Sequence, residues 1–380
     1  AVNAAVAAVD AADSDDARRQ AWVDVRGELM RRGGLPVGRG RQRLFAFYDV
    51  VPGSPEESGP FGVGGSWQGW DPGALVMERI EGTRWHFALV EIPQGDRHQY
   101  KLVYLPGESW FEDPHNPHAV WDGFNMNTVG NFNSEVFLAS PEGSEGRMVH
   151  LRGFVSPQLG NARDIFVSLP AAYDEGAQNL GVMVFHDGNE SLTRADFARV
   201  MDQWSRSPQG QPLIGVYVPL ASQDERFGEY TFAEEGARGD LYRAFLVETL
   251  VPFIKANFPG ASGDPARWGL LGASLGGLIS YYVGYHHSDV FGRVGGMSSS
   301  FFWADNEIMR LYGQHPGLPL LKCYLDSGSP NDNFEVTRQM RDVLEGRGYD
   351  VTYVLDEGGT HDWSFWQARL PGALDALWAD

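Results

Sequence analysis

Cysteine occurs once in the 380 residues, at Cys323, so no disulfide within the chain can staple the fold. Its apolar neighbours point to a thiol on a buried strand. No apolar run reaches the roughly 18 residues that a membrane-crossing helix needs, which excludes a transmembrane helix. Basic residues are scarce: 30 Lys and Arg stand against 50 Asp and Glu, for a formal net charge of -20 at pH 7. So acidic a chain repels phosphates, which argues against nucleic acid or an anionic membrane as a partner. HExxH and clustered His/Asp ligand spacings are missing, which leaves a metal hydrolase without support, and no cofactor is expected. The chain opens on Ala1 rather than Met, which reads as a leader or another leading stretch removed, and any export signal would have gone with it; the compartment stays open, with periplasmic or secreted slightly favoured over cytoplasmic. Nothing here bears on oligomeric state.

What is present is enough apolar residue, 43% of the chain, for a large core and two domains. Residues 1–43 read as an N-terminal helical segment with a Gly/Arg-rich linker. Over residues 44–140 the runs RLFAFYDVV, FGVGGSWQGW, TRWHFALVEI and HQYKLVYL alternate with Pro, Gly, Asp and Asn clusters, the signature of an all-β sandwich. After a linker with PEGSEG (141–146) the character changes. From 147 to 380, continuous apolar runs such as LGVMVFHDG, LIGVYVPL, RWGLLGAS, RVGGMSSS, LKCYLDSGS and DVTYVLDEGG interleave with helical stretches. That pattern predicts an α/β domain with a mostly parallel sheet covered on both faces.

Within it, GASLGG (272–277) joins the short apolar run Trp268–Leu271 to the longer run Leu275–Tyr285. A strand turns sharply into a helix at Ser274. Gly272 and Gly276 flank the serine at two residues' distance, where side chains would crowd a tight turn. This is the arrangement of a nucleophile elbow.

A serine hydroxyl needs a base, and the base needs an acid to hold its orientation. Beyond His287 only His315 and His361 remain. His315 sits in the loop QHPG, whereas His361 follows the strand VTYVLD through the turn EGGT, which places it at the same sheet edge as Ser274. The acid is expected on YLDSGSPND, as Asp332 on the loop or, alternatively, Asp326 at the strand end. Asp332 is favoured over Asp326, although an N-cap is a competing role for it. Asp362 reads as structural. The order Ser, Asp, His is the one expected of α/β-hydrolases. Backbone N–H groups must meet the oxyanion of a tetrahedral intermediate: Leu275 supplies one, and Gly188 or Asn189, in the loop after VMVFH, the other. His186 reads as a packed strand-end residue.

GASLGG, SSSFFW, GGTHDWSFW and VFHDG resemble the putative-esterase family of α/β-hydrolases, which holds enterochelin (siderophore trilactone) esterases and feruloyl and acetyl-xylan esterases. The resemblance runs from about Val149 to the C-terminus. It implies a triad of Ser274, Asp332 and His361. The β-rich part is similar to the early-set immunoglobulin-like domains that precede such enzymes, including the glycogen-binding subtype, in which Trp67, Trp70 or Trp110 would stack on a sugar; core or seam packing is the competing role for these tryptophans. DERFGEYTF resembles the Arg-containing stretch with which trilactone esterases meet an anionic catecholate, which makes Arg226 a substrate-binding candidate, with pairing to Glu225 or Glu229 as the alternative. Trp303 of SSSFFW and Trp363 of GGTHDWSFW are further substrate-binding candidates. Gln367 stands where the family often has Arg.

The resulting expectation is a serine carboxylic-ester hydrolase of small-molecule or polysaccharide-linked esters. The substrate is a siderophore ester first, a feruloyl or acetyl-xylan ester second. A non-catalytic carbohydrate-binding protein is the reading of another class, and the complete Ser-Asp-His set argues against it.

Overall fold

The computed structural model describes, apart from the lone Ala11, residues 35–39, 41–48, 59–81, 84–93, 97–121, 132–137, 146–314 and 321–378. The helical segment expected before residue 35, most of the PEGSEG linker and His315 lie outside these residues. The described part falls into two compact units, one holding the strands up to Phe137 and the other the chain from Leu151 onward.

The first unit follows the alternation of its sequence. On β2 (Gln42–Tyr48) Phe45 and Phe47 are buried while the residues between them are less so, as expected of a strand with one face on a core. Val37–Arg39, expected as linker, instead forms β1, paired antiparallel with Gln42–Leu44. With β4 (Glu78–Arg79) and β5 (Trp85–Glu91) these make one sheet in the order β1-β2-β5-β4. The second sheet runs β3-β6-β9-β8, from β3 (Phe61–Gly65), β6 (Arg97–Tyr104), β8 (Ala119–Trp121) and β9 (Phe132–Phe137), with β7 (Ser109–Phe111) on β6. Phe45, Phe47 and Ala88 of the first sheet share a core with Phe61, Val63, Tyr100, Leu102 and Val136 of the second. Trp67 packs on that core, against Phe45, whereas Trp110 is 41% exposed, its ring 6.4 Å from that of Trp70.

The second unit is built on eight strands: β10 (Arg147–Ser156), β11 (Asn161–Leu169), β12 (Gly181–His186), β13 (Leu213–Val218), β14 (Trp268–Ala273), β15 (Arg293–Met297), β16 (Lys322–Ser329) and β17 (Asp350–Glu357). Their order is β10-β11-β13-β12-β14-β15-β16-β17. From β13 to β17 every pair is parallel, and β11 is antiparallel to β13. The continuous apolar runs are explained by burial on both faces: every residue of β12, β13 and β14 is buried.

The connecting helices are α1 (Ala171–Asp174), α2 (Gly188–Thr193), α3 (Phe197–Ser205), α4 (Arg226–Tyr230), α5 (Gly239–Ala244), α6 (Val251–Asn257), α7 (Leu275–His286), α8 (Trp303–Gln314), α9 (Phe334–Arg347) and α10 (Trp363–Trp378). The stretch expected as one helix over 241–258 is α5 and α6 joined by a wider π turn, Phe245–Leu250. α7 is buried almost throughout, which is why its sequence carries no polar face. No helix among the described residues is long and apolar enough to cross a membrane.

Candidate active site

Ser274 stands between β14 and α7 with φ 58° and ψ -120°, a conformation that costs a non-glycine residue roughly 1–3 kcal/mol. Three backbone bonds hold it there. Its N–H donates to Met297 O (2.9 Å), and its carbonyl accepts from Leu278 N (3.1 Å) and Ser300 N (3.0 Å). The glycines around it are required by contact. A Cβ on Gly272 would lie 2.4 Å from the Gly276 carbonyl carbon, and one on Gly277 would lie 2.1 Å from Ser299 Oγ. At Gly272 the neighbour is backbone, so the elbow closes only with hydrogen there; at Gly277 a side chain would displace the Ser299 hydroxyl.

The two loops after β16 and β17 bring an acid and a base together. His361 Nδ1 is 2.8 Å from Asp332 Oδ1, so Nδ1 donates to the carboxylate and Nε2 is left as the accepting nitrogen of the neutral ring. The Asp332 side chain is fully buried and His361 is 38% exposed. Burial alone would push the Asp332 carboxyl up. The bonds it accepts from His361, Ser298 Oγ, Gly328 N and Asn333 N outweigh burial and hold it down at about 2. Asp326 sits elsewhere, on β16 itself. It is fully buried, accepts from Tyr324 Oη at 2.8 Å and lies 3.4 Å from Arg369 Nη1. Burial, only partly offset by Arg369, pushes Asp326 up to about 7. The carboxylate that meets His361 is thus Asp332 and not Asp326.

Ser274 Oγ lies 3.3 Å from Ser300 Oγ, and among the described residues no hydrogen bond joins it to His361. What links the serine to the Asp-His pair is the turn Ser298-Ser299-Ser300 after β15. Ser300 N binds the Ser274 carbonyl, Ser298 Oγ donates to Asp332 Oδ2 at 2.5 Å, and Asn333 Nδ2 donates to the Ser298 carbonyl at 2.8 Å. Trp366 Nε1 and Arg369 Nη2 donate to Ser298 Oγ at 3.0 and 3.1 Å.

Leu275 opens α7, and its amide has no intrahelical acceptor, as at the start of any helix. Gly188 and Asn189 open α2 after β12. The two helix starts adjoin: a Cβ on Gly276 would come within 3.1 Å of Asp187 Oδ2 and 3.3 Å of His186 Cβ. His186 is buried as expected of a strand-end residue, with Nδ1 2.9 Å from Tyr242 Oη, and burial drives its pKa down to about 3.

Arg226 pairs with neither Glu225 nor Glu229. Its Nε and Nη2 donate to the two oxygens of Asp187 at 2.8 and 2.7 Å, and Glu229 is taken by Arg163. Trp303 donates its indole N–H to Phe232 O at 3.1 Å and faces Phe227, ring centroids 6.2 Å apart. Phe227 and Phe302 are exposed. Trp363 packs between Phe197 and Trp366, and Gln367 donates to Ala195 O. Sequence reasoning missed Ser298, Asn333 and Arg369. The visible signal was SSS directly after a central strand; nothing local marked Arg369, which lies 43 residues after Asp326.

The strand order and the placement of Ser274, Asp332 and His361 after β14, β16 and β17 define an α/β-hydrolase. Residues 156–377 match the family model described as "Putative esterase", more than half of the chain, and the chain belongs to that family. The iron(III) enterobactin esterase of Dickeya dadantii is 25% identical over 232 residues, 57% of this chain and 51% of that protein. The fold is similar to that of the enterobactin esterase of Shigella flexneri, at TM-score 0.54 and 18% identity, over 89% of this chain and 92% of that one. It is also similar to a ferulic acid esterase, at TM-score 0.52 and 18% identity, over 61% of this chain and 97% of that one.

Proposed function

We propose that the protein hydrolyses carboxylic esters through an acyl-enzyme. Ser274 Oγ adds to the ester carbonyl as His361 Nε2 takes its proton, and Asp332 holds and stabilises the resulting imidazolium. The oxyanion is met by the amides of Leu275 and of Gly188 or Asn189. Collapse breaks the acyl C–O bond, and the alcohol leaves with the proton from His361. Water, deprotonated by the same imidazole, then releases the acid and frees Ser274. The observation that carries this reading is the 2.8 Å Asp332–His361 pair at the sheet edge where the strained Ser274 stands.

The substrate proposed first is a siderophore lactone or a related aromatic ester. Exposed Phe227 and Phe302, with Trp303, form an aromatic rim beside the elbow, suited to stack on an aryl acyl group. A feruloyl or acetyl ester of plant polysaccharide is the second reading, favoured by the exposed Trp110 beside Trp70 as a sugar platform in the first unit. The test is kcat/KM of wild type and Ser274→Ala on a catecholate trilactone with and without iron, methyl ferulate and acetylated xylan. A serine-dependent preference for the trilactone supports the first reading, and preference for ferulate or xylan the second. Activity retained by Ser274→Ala on every ester would overturn the mechanism.

A further inference from the structure

Asp187 sits in the left-handed region at φ 50° and ψ 47°, directly before the two amides proposed as oxyanion donors. All three of its polar groups are engaged. Its N–H donates to Tyr230 Oη at 2.8 Å, its carbonyl accepts from Ser191 N at 2.9 Å, and its carboxylate takes both prongs of Arg226. Arg226 and Tyr230 are the two ends of α4, so one short helix grips the side chain and the N–H of a single loop residue. Tyr230 is itself fixed, fully buried with the Arg226 guanidinium 5.6 Å over its ring.

The consequence for Gly188 follows from peptide geometry. In a trans peptide the C=O and the next N–H point in opposite directions. The Asp187 carbonyl points into α2 toward Ser191, so the Gly188 N–H points out of the start of that helix. A Cβ on Gly188 would lie 2.4 Å from Val218 N, so the loop also rests on the end of β13. Asp187 Oδ2, meanwhile, borders Gly276 on the nucleophile helix. The Arg226–Asp187 pair therefore braces one proposed half of the oxyanion hole against the other. Asp187 is 2% exposed in its side chain, and drawing Arg226 away to a substrate anion would strand its charge in the interior.

We propose that Arg226 is a positioning residue that acts through Asp187 on the oxyanion loop, and not a receptor for an anionic substrate. This rests on the reading of Gly188 or Asn189 as the second oxyanion donor. The test compares wild type, R226Q, R226K, D187N and S274A on 4-nitrophenyl benzoate and its 4-carboxybenzoate counterpart, a neutral and an anionic ester with one leaving group. Phenylboronic acid serves as the tetrahedral mimic, and circular dichroism checks folding.

R226Q and D187N are expected to lower kcat by about 10- to 100-fold alike on both esters, with KM near wild type and the boronate weakened by a similar factor. R226K, which keeps the charge but loses the two-pronged fork, should track R226Q. A rise in KM confined to the carboxylate ester, an unchanged kcat on both esters, or full kcat in R226K would overturn the proposal. D187N, close to isosteric, carries the comparison if R226Q does not fold. Hydrolysis retained in S274A would overturn the catalytic reading itself, a result distinguishable from any dependence on substrate charge.

Discussion

Asp332 meets His361 with one carboxylate oxygen, at 2.8 Å, and gives the other to Ser298 Oγ and Gly328 N, at 2.5 and 2.8 Å. The acid is thereby held from the turn after β15 and from β16 as well as by the base. An acid so held can keep an imidazole in one tautomer and one orientation.

Asp332→Asn should therefore lower kcat by on the order of 10⁴-fold, because the amide can present N–H to His361 and favour the wrong tautomer. Asp326→Asn, which touches Tyr324 and Arg369 and not the base, should lower kcat by less than about tenfold. Equal losses in steady-state assays of the two variants would contradict the assignment of the acid.

Acid stability should carry the mark of Asp332. Its carboxyl titrates at about 2 in the fold against an ordinary 3.8, so the unfolded chain takes up the proton first as pH falls. The sign follows: the group stabilises the fold fully above about pH 4, by about 2 kcal/mol, and the contribution is lost as pH falls through about 2. Urea midpoints measured from pH 5 to pH 2 should fall less steeply in Asp332→Asn than in wild type.

Ser298→Ala removes the donor to Asp332 Oδ2 and the acceptor of Trp366 and Arg369. A loss of about 1–3 kcal/mol in stability and a reduced kcat with little change in KM are expected, because buried donors are left unmatched. Chemical denaturation and steady-state kinetics on the same preparation check both.

Gly272→Ala would drive a Cβ to 2.4 Å from the Gly276 backbone, with nothing flexible to yield. Overpacking of about 1–3 kcal/mol is expected, with activity falling further because the shift is transmitted to Ser274. A thermal melt within a degree of wild type would contradict the close approach.

Phe302→Ala should raise KM for aryl esters and leave kcat and the KM of acetyl esters nearly unchanged, since the ring is 53% exposed two residues after Ser300, whose N–H binds the Ser274 carbonyl. A uniform effect on both ester classes would remove the rim from substrate recognition.

The chain order of Ser274, Asp332 and His361 was legible because each follows an apolar strand run and a Gly-marked turn, signals that are local in sequence. The buried strands β12 to β16 were legible for the same reason. The preference for Asp332 over Asp326 rested on loop position and not on any contact. The two are six residues apart on one strand and its loop, and only the register of β16 sends one to the sheet edge and leaves the other beside Tyr324. Val37–Arg39 was hidden as well, because a Gly/Arg-rich stretch reads as linker until a partner strand satisfies its backbone.

Sequence alone determined where the chain bends, that the central runs β12 to β16 are buried and which residue types stand at the bends, because these depend on spacing and side-chain chemistry; β17, read among the same apolar runs, is instead an edge strand with Val354 and Leu355 exposed. Tertiary structure alone decided which carboxylate meets His361, that Ser298 ties the Ser274 turn to Asp332, and that Arg226 spends its charge on Asp187. Each of these is a contact between groups 29 to 39 residues apart, and only packing brings such groups within hydrogen-bond reach.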